Sequence, residues 1–386
     1  MKLIQKLTAL VMALCLLLPG AVLAEDDEIS ILDVVENVNL DEGGDESAGG
    51  DEDAEGGEEL FISDEVQEAM EVAENLEADI DDSINPDDLE LNPNLPDNVV
   101  NILLVGVDTR STTLDDGLQH GDVQIILSIN KDTGSVKLTS VLRDLYVTIP
   151  GYKSKNRINV AYSRGGGALA MRTINHTFEL NIEHYVTINF YGLASIIDAI
   201  GGVDVDLTKA EAKAINTYLK QHPPKYDNQD KEYERVPLEA VAGVQHLDGV
   251  QAVMYARTRS VDNDFGRTAR QRHLLDLLLQ KIMQDMTVDK FMTLMETSLP
   301  YVQTNVNAST MLNLGLSVLG SDIISRAQAG ESLLEQMRIP MDETWKYDQT
   351  DSGSSVVVFR TVARREENVK ALHEFIYGQY YPASGE

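Results

Sequence analysis

The stretch Val99-Val100-Asn101-Ile102-Leu103-Leu104-Val105-Gly106-Val107 is apolar at nearly every position and rich in β-branched residues. A run this short and this apolar reads as a buried strand. Gln124-Ile-Ile-Leu-Ser-Ile129 reads the same way, and Val136-Lys-Leu-Thr-Ser-Val141 follows as a third strand after the turn Asp132-Thr-Gly134. The three are expected to pair in sequence order. Helical spacing then covers residues 168–177, 191–200 and 268–286, interleaved with strands at Tyr185-Val-Thr-Ile-Asn-Phe190 and Val203-Asp-Val-Asp-Leu207. Strands mixed with helices imply an α/β layered domain. The polar region 221–239 contains Pro223 and Pro224 and suggests a surface excursion. Beyond residue 286 further helices are expected, then a strand at Ser354-Ser-Val-Val-Val-Phe359 and a closing helix over 366–377. A globular part of this size reads as one large domain rather than two.

Upstream of that part the composition changes. The chain of 386 residues has a formal net charge of -33. Residues 25–97 hold 29 Asp and Glu and no Lys or Arg, so the remainder is far closer to neutral. Segments such as Asp51-Glu-Asp-Ala-Glu-Gly-Gly-Glu-Glu59 cannot bury enough apolar surface to offset chain entropy. We therefore expect a disordered acidic linker over 25–97, with a short helix around 63–76 capped by Ser63, and Asn92-Pro-Asn-Leu-Pro96 at the boundary. Ahead of it, Lys2 and Lys6 precede an apolar run from Leu7 to Leu18 and then Val22-Leu-Ala24. Residues 1–24 thus read as a signal peptide cleaved after Ala24, or as a membrane anchor if cleavage does not occur. The single cysteine, Cys15, lies inside this segment and lacks the preceding Gly or Ala of a lipoprotein cleavage box. The mature chain then has neither disulfides nor thiolate chemistry.

Against the acidity stand five clustered cations, Arg257 and Arg259 in Tyr255-Ala-Arg-Thr-Arg, and Arg267, Arg270 and Arg272 in Asp264-Phe-Gly-Arg-Thr-Ala-Arg-Gln-Arg. Guanidinium forks match phosphate oxygens in pairs, whereas a polynucleotide calls for a broad basic surface that this composition does not supply. The expected ligand is a phosphate or pyrophosphate, with no nucleic acid. Arg257 and Arg259 alternate at strand spacing and would face one side of an extended segment. Arg267 and Gln271 are four apart on the expected helix, also on one face. Arg143-Asp144 ends the third strand, close in sequence to Lys155 and Arg157. Each pair alone is ordinary surface decoration or an ion pair. Together they are costly to gather unless an anion completes them. Asp108 follows the first strand and Asp122 precedes the second; if these strands are antiparallel, both carboxylates lie at one sheet end, where hard oxygen ligands suit magnesium.

Several segments carry a resemblance in order and with matching spacing: Ile102-Leu-Leu-Val-Gly-Val-Asp-Thr-Arg, Gly121-Asp-Val-Gln, Ser140-Val-Leu-Arg-Asp, Arg157-Ile-Asn-Val-Ala-Tyr, Asn189-Phe-Tyr-Gly, Ile200-Gly-Gly-Val-Asp-Val, Leu247-Asp-Gly-Val-Gln-Ala and the two arginine segments above. Over about residues 99–285 the chain resembles the LytR-CpsA-Psr family. The resemblance implies a layered α/β/α domain with a central mixed sheet over 98–286, and a C-terminal extension over 287–386 packed on it. It implies an extracytoplasmic enzyme of Gram-positive cell-wall assembly, held at the outer membrane surface or secreted. That enzyme would move a glycopolymer from an undecaprenyl-pyrophosphate carrier to peptidoglycan, forming a phosphodiester; wall polysaccharide, teichoic acid and capsule would all present the same pyrophosphate. By matching motifs, Asp108 and Asp122 would hold magnesium, or manganese in its place. Arg143, Arg157, Arg257, Arg259, Arg267 and Gln271 would hold the pyrophosphate. The prenyl tail implies an apolar tunnel, with 190–200 and 274–282 as candidate walls or as ordinary core. The family's Arg-Ser-Asp-Thr is here His120-Gly-Asp-Val123, which removes a basic residue and a hydroxyl beside Asp122. The competing readings are a prenyl-pyrophosphate hydrolase, with water as acceptor, and a non-catalytic prenyl-phosphate-binding module.

Overall fold

In a computed structural model, which describes residues 83–107, 119–221, 236–258, 261, 264–285, 302–306, 310, 314 and 334–383, the run Val99–Val107 forms β1. It pairs antiparallel with β2 (Gly121–Asn130), from Val99 opposite Asn130 to Val107 opposite Gly121. β2 pairs antiparallel with β3 (Val136–Val141). The expected three-strand pairing is therefore present. The β2–β3 turn is tight because the Asn130 side-chain oxygen accepts from the backbone N–H groups of Asp132 and Thr133, while Gly134 takes the positive φ that closes it.

After a small ribbon of β4 (Tyr146–Val147) and β5 (Asn156–Arg157) comes α1 (Val160–Phe178), broken by non-helical backbone at Gly165 and Gly166. β6 (His184–Asn189) then lies parallel to β1 and leads directly into α2 (Phe190–Ala199). β7 (Val203–Leu207) pairs with β8 (Gly243–Leu247) in a separate ribbon, with α3 (Lys209–Gln221) between them and α4 (Gly249–Arg257) and α5 (Asp264–Asp285) after. β9 (Val302–Thr304) joins β6, and β10 (Glu335–Ile339) joins β3. A third ribbon, β11 (Trp345–Gln349) with β12 (Ser355–Phe359), precedes α6 (Val362–Tyr377).

The central sheet has the order β10-β3-β2-β1-β6-β9, parallel at β10/β3 and β1/β6 and antiparallel elsewhere. Because alternate residues of a strand face opposite sides, the apolar run of β1 serves two cores. Ile102 packs with Ile125, Leu127 and Ile129 against a layer containing Ile196, Ile197, Val253 and Leu278. Leu103, Val105, Val107 and Ile126 pack against Met171, Ile174, Phe178, Leu372 and Ile376 on the other face. Helices cover both faces, as expected for an α/β/α domain. Each fully buried aliphatic side chain contributes about 1.5–3 kcal/mol relative to exposure.

Strands on both sides of residue 286 share this sheet, since β9 and β10 form its two edges. The helices expected beyond 286 fall almost wholly outside the described residues, which add β9, β10 and β11 ahead of the expected β12 and α6. Asn101, the one polar residue of the β1 run, is buried and ties α6 to the sheet. Its amide nitrogen donates to the Tyr377 hydroxyl oxygen at 2.7 Å and to Asn181 at 2.8 Å, and its oxygen accepts from the Ser128 hydroxyl at 2.6 Å. The expected segments 1–24 and 63–76 lie outside the described residues, as do 25–82 of the expected linker and most of the polar excursion 221–239. The end of that linker is not disordered: over 83–97 the chain packs on the domain, with Leu89 and Leu95 buried and Asn92 Nδ2 donating to the backbone oxygens of Glu179 and Tyr381, because these apolar and amide side chains find partners that the acidic stretch before them lacks. Among the described residues no helix is long and apolar enough to cross a membrane.

Candidate active site

A cavity of about 360 Å³ opens beside the start of β2, with Asp122, Arg143, Arg257, Arg267 and Gln271 as its polar wall. Val123, Phe190, Ala214, Tyr218 and Met254 supply the apolar part. Asp122 does not precede the strand, as the sequence suggested, but is its second residue. The register of β1 against β2 shifts between Gly106 and Val107, and such irregularities re-aim side chains at a sheet edge. One carboxylate oxygen of Asp122 lies 3.1 Å from Arg143 Nη1, and the other accepts from Asn159 Nδ2 at 3.3 Å. Asn159 also bonds through its backbone to Arg143 and Gly121, so the residue ahead of α1 locks these two segments together.

Arg257 is not on an extended segment. It is the last residue of α4, a helix started by a capping box in which Asp248 and Gln251 exchange side-chain and backbone bonds. The strand spacing therefore does not describe Arg257, and Arg259 itself lies outside the described residues. Arg257 instead stacks its guanidinium carbon 4.0 Å from the ring centroid of Phe190 and 5.9 Å from that of Tyr218. Arg267 and Gln271 behave as expected: one turn apart on α5, they are 4% and 9% exposed and both line the cavity. Their burial sets them apart from surface decoration.

The rest of the arginine cluster goes elsewhere. Arg270 bonds Glu211 at 3.4 Å and the backbone oxygen of Thr258, linking α3, α5 and the end of α4. Arg272 donates to Ser140 Oγ at 2.9 Å and Gln336 Oε1 at 3.1 Å, and burial, then the neighbouring Arg338, lowers its pKa. Arg157 does not line the cavity: its guanidinium donates to the Ser355 backbone oxygen at 2.8 and 3.2 Å and pairs with Asp144. Lys155 and His120 are exposed and also stay off its wall. Asp108 lies outside the described residues; Val107, just before it, is opposite Gly121. The stretches 190–200 and 274–282 are mostly core: Ile196, Ile197, Leu274, Leu278 and Leu279 are buried in one cluster, and among the described residues of these stretches Phe190 alone borders the cavity.

Sequence reasoning missed Asn159 and Tyr218. Asn159 stood in the quoted Arg157-Ile-Asn segment without a role, and Tyr218 is carried by α3, a helix that periodicity did not reveal. Among the described residues no cluster of three or more His, Cys, Asp or Glu could hold a metal ion by itself. Asp122 nevertheless presents hard carboxylate oxygens at the cavity wall, the donor type that suits magnesium. The described wall therefore combines three guanidinium groups with a single carboxylate on a half-apolar surface. Cations held this close in a partly desolvated space favour a compact, multiply charged anion, and the apolar wall suits a hydrocarbon attached to it.

Comparisons with known proteins place the chain in a family. The sequence is 30% identical over 220 residues to the polyisoprenyl-teichoic acid–peptidoglycan teichoic acid transferase TagU of Enterococcus faecalis, a match covering 56% of this chain and 64% of that protein. It is 28% identical over 239 residues to the corresponding transferase TagV of Bacillus subtilis, covering 58% and 57%. The chain thus matches about three fifths of the length of these relatives. In structure it resembles B. subtilis TagV with a TM-score of 0.53 at 24% identity, covering 75% of this chain and 100% of that one. A structure titled TagT bound to LIIa-WTA gives a TM-score of 0.53 at 20% identity, covering 72% and 91%. Likenesses at that identity show the fold. The model of the LytR_cpsA_psr family matches residues 62–354, most of the chain, and the protein belongs to that family.

Proposed function

We propose that the protein is an extracytoplasmic phosphotransferase that moves a glycopolymer from an undecaprenyl-pyrophosphate carrier to a peptidoglycan hydroxyl. The observation that carries this reading is the cavity itself, whose half-apolar wall brings together Arg143, Arg257 and Arg267 with one carboxylate, Asp122. The names of the TagU and TagV relatives support it. In this reading the arginines grip the pyrophosphate oxygens in pairs and Gln271 adds an amide donor. The acceptor oxygen attacks the phosphorus bearing the glycan and forms the new P–O bond. The bond from that phosphorus to the bridging oxygen breaks, and prenyl phosphate leaves with the electron pair. Arginine charge offsets the charge that grows on the bridging and leaving oxygens. The hydroxyl proton passes to a base, for which Asp108 is our candidate. Asp122, together with Asp108, would hold a magnesium or manganese ion, whose chemistry when bound is to neutralise charge on the same oxygens. Substrate entry from the outer membrane surface follows from the lipid carrier, with residues 1–24 as signal or anchor.

The test mixes the protein with a short-chain prenyl-pyrophosphate glycan, peptidoglycan fragments and magnesium, and weighs the products. A glycan joined to peptidoglycan through one phosphate, lost in Asp122→Ala and Arg257→Ala, is the expected result. Phosphate release regardless of acceptor would make the protein a hydrolase. Bound but unreacted lipid would make it a binding module.

A further inference from the structure

Arg257 is held against two aromatic rings at the cavity wall. α2 and α4 run side by side, and their register is set at Gly249. Its N–H donates to Asp198 Oδ1 at 2.6 Å, and a Cβ there would sit 1.9 Å from the Ala194 backbone oxygen. Only glycine fits that approach. Asp198 lies eight residues after Phe190, and Gly249 eight before Arg257. At 1.5 Å rise per residue these are equal lengths of about 12 Å, so the contact at one end brings Phe190 opposite Arg257 at the other. Phe190 is itself fixed in place: it is the first residue of α2, whose start is capped by Asn189 accepting from the Gly192 N–H at 2.8 Å. Tyr218 approaches from α3, and the backbone after Arg257 is held where Thr258 accepts from Arg270.

We propose that Phe190 and Tyr218 form an aromatic clamp that orients the Arg257 guanidinium toward the prenyl pyrophosphate, which makes both of them positioning residues of the transfer reaction. The proposal rests on the functional reading above. The guanidinium carbon sits 4.0 Å from the Phe190 centroid and 5.9 Å from that of Tyr218. A ring face attracts the cation without taking any of its N–H donors, because those donors radiate in the guanidinium plane. Stacking therefore narrows the orientations that the fork samples, and less side-chain freedom is lost when the anion binds.

The test is binding of geranyl pyrophosphate, followed by calorimetry with the full-length protein. Phe190→Leu is expected to weaken binding about 5-fold, and Tyr218→Leu about 2-fold, the range for partly desolvated cation–aromatic pairs. Phe190→Tyr, which keeps the ring, restores the affinity. Introduced beside Arg257→Met, both leucine variants have no further effect, because the cation they act on is gone. An equal loss with and without Arg257, or no loss in either leucine variant, overturns the clamp. Tyr218 is 37% exposed, so its variant keeps the test decisive if Phe190→Leu disturbs folding. Wild-type protein that does not bind geranyl pyrophosphate overturns the reading of the cavity and the clamp with it; binding without the Phe190 and Tyr218 effects overturns the clamp alone.

Discussion

Arg267 and Arg270 stand one turn apart on α5, are 4% and 6% exposed, and come from the same short motif, yet they reach different surroundings. Arg267 lines the cavity with Asp122 and Arg143, whereas Arg270 closes a buried link between Glu211 and the backbone of Thr258. Burial alone does not separate a cation that serves a ligand from one that serves the fold. Position does: Arg267 lies at the cavity wall, where an anion from outside can reach it, and Arg270 is bonded between helices to Glu211.

The largest expected effect breaks the fold side of this pair. Arg270→Ala leaves the buried Glu211 carboxylate without its cation, held only by the Thr208 donors, and is expected to cost about 3 kcal/mol, read by urea unfolding. On the site side, Arg267→Ala should lower transfer activity about 100-fold while the unfolding midpoint moves little, the range for removing one donor to developing charge. A loss of stability equal to that of Arg270→Ala would erase the distinction. Arg157→Ala sharpens it further: because its guanidinium is spent on Ser355 and Asp144, activity is expected to fall only about 2- to 5-fold, in line with an exposed ion pair. Activity lost as completely as in Arg267→Ala would return Arg157 to the pyrophosphate site.

A smaller effect concerns pH. Burial pushes the imidazoles of His184 and His373 below their ordinary value, with the Phe178 backbone oxygen partly offsetting this for His373. The unfolded chain therefore takes up these protons at a higher pH than the folded one. Stability is complete above about pH 6.5 and falls as the pH drops below it, because protons then favour the unfolded state. Melting temperatures measured between pH 7.5 and 5.5 should decline, and His373→Gln should flatten part of that slope.

Much of the fold was legible because the residues that make it are locally unambiguous. The apolar runs at 99–107 and 124–129 have no other use, and β7 shows clean alternation from Val203 to Leu207. The helix bearing Arg257 was not legible by periodicity, since α4 is buried at every position from Gly249 to Ala256 and so has no polar face to alternate with. Its signal was Asp248-Gly-Val-Gln251, and α3 carries a comparable one in Thr208-Lys-Ala-Glu211, where side chain and backbone exchange bonds. β10 was missed because Glu335-Gln-Met-Arg-Ile339 is polar, as edge strands often are, and is buried only at Ile339. Within the site, the i, i+4 spacing found Arg267 and Gln271. Nothing in spacing distinguishes Arg157 or Arg270 from them, because the partners that claim those two, Ser355 and Glu211, are distant in sequence.

The account stands on the claim that Arg267 acts on the ligand and Arg270 on the fold. Single-turnover transfer of a prenyl-pyrophosphate glycan to peptidoglycan fragments, run at 10 °C where both variants can be held folded by circular dichroism, tests it directly. The prediction is a rate about 100-fold down for Arg267→Ala, and within about 5-fold of wild type for the folded fraction of Arg270→Ala. Equal losses in the two folded variants would contradict it.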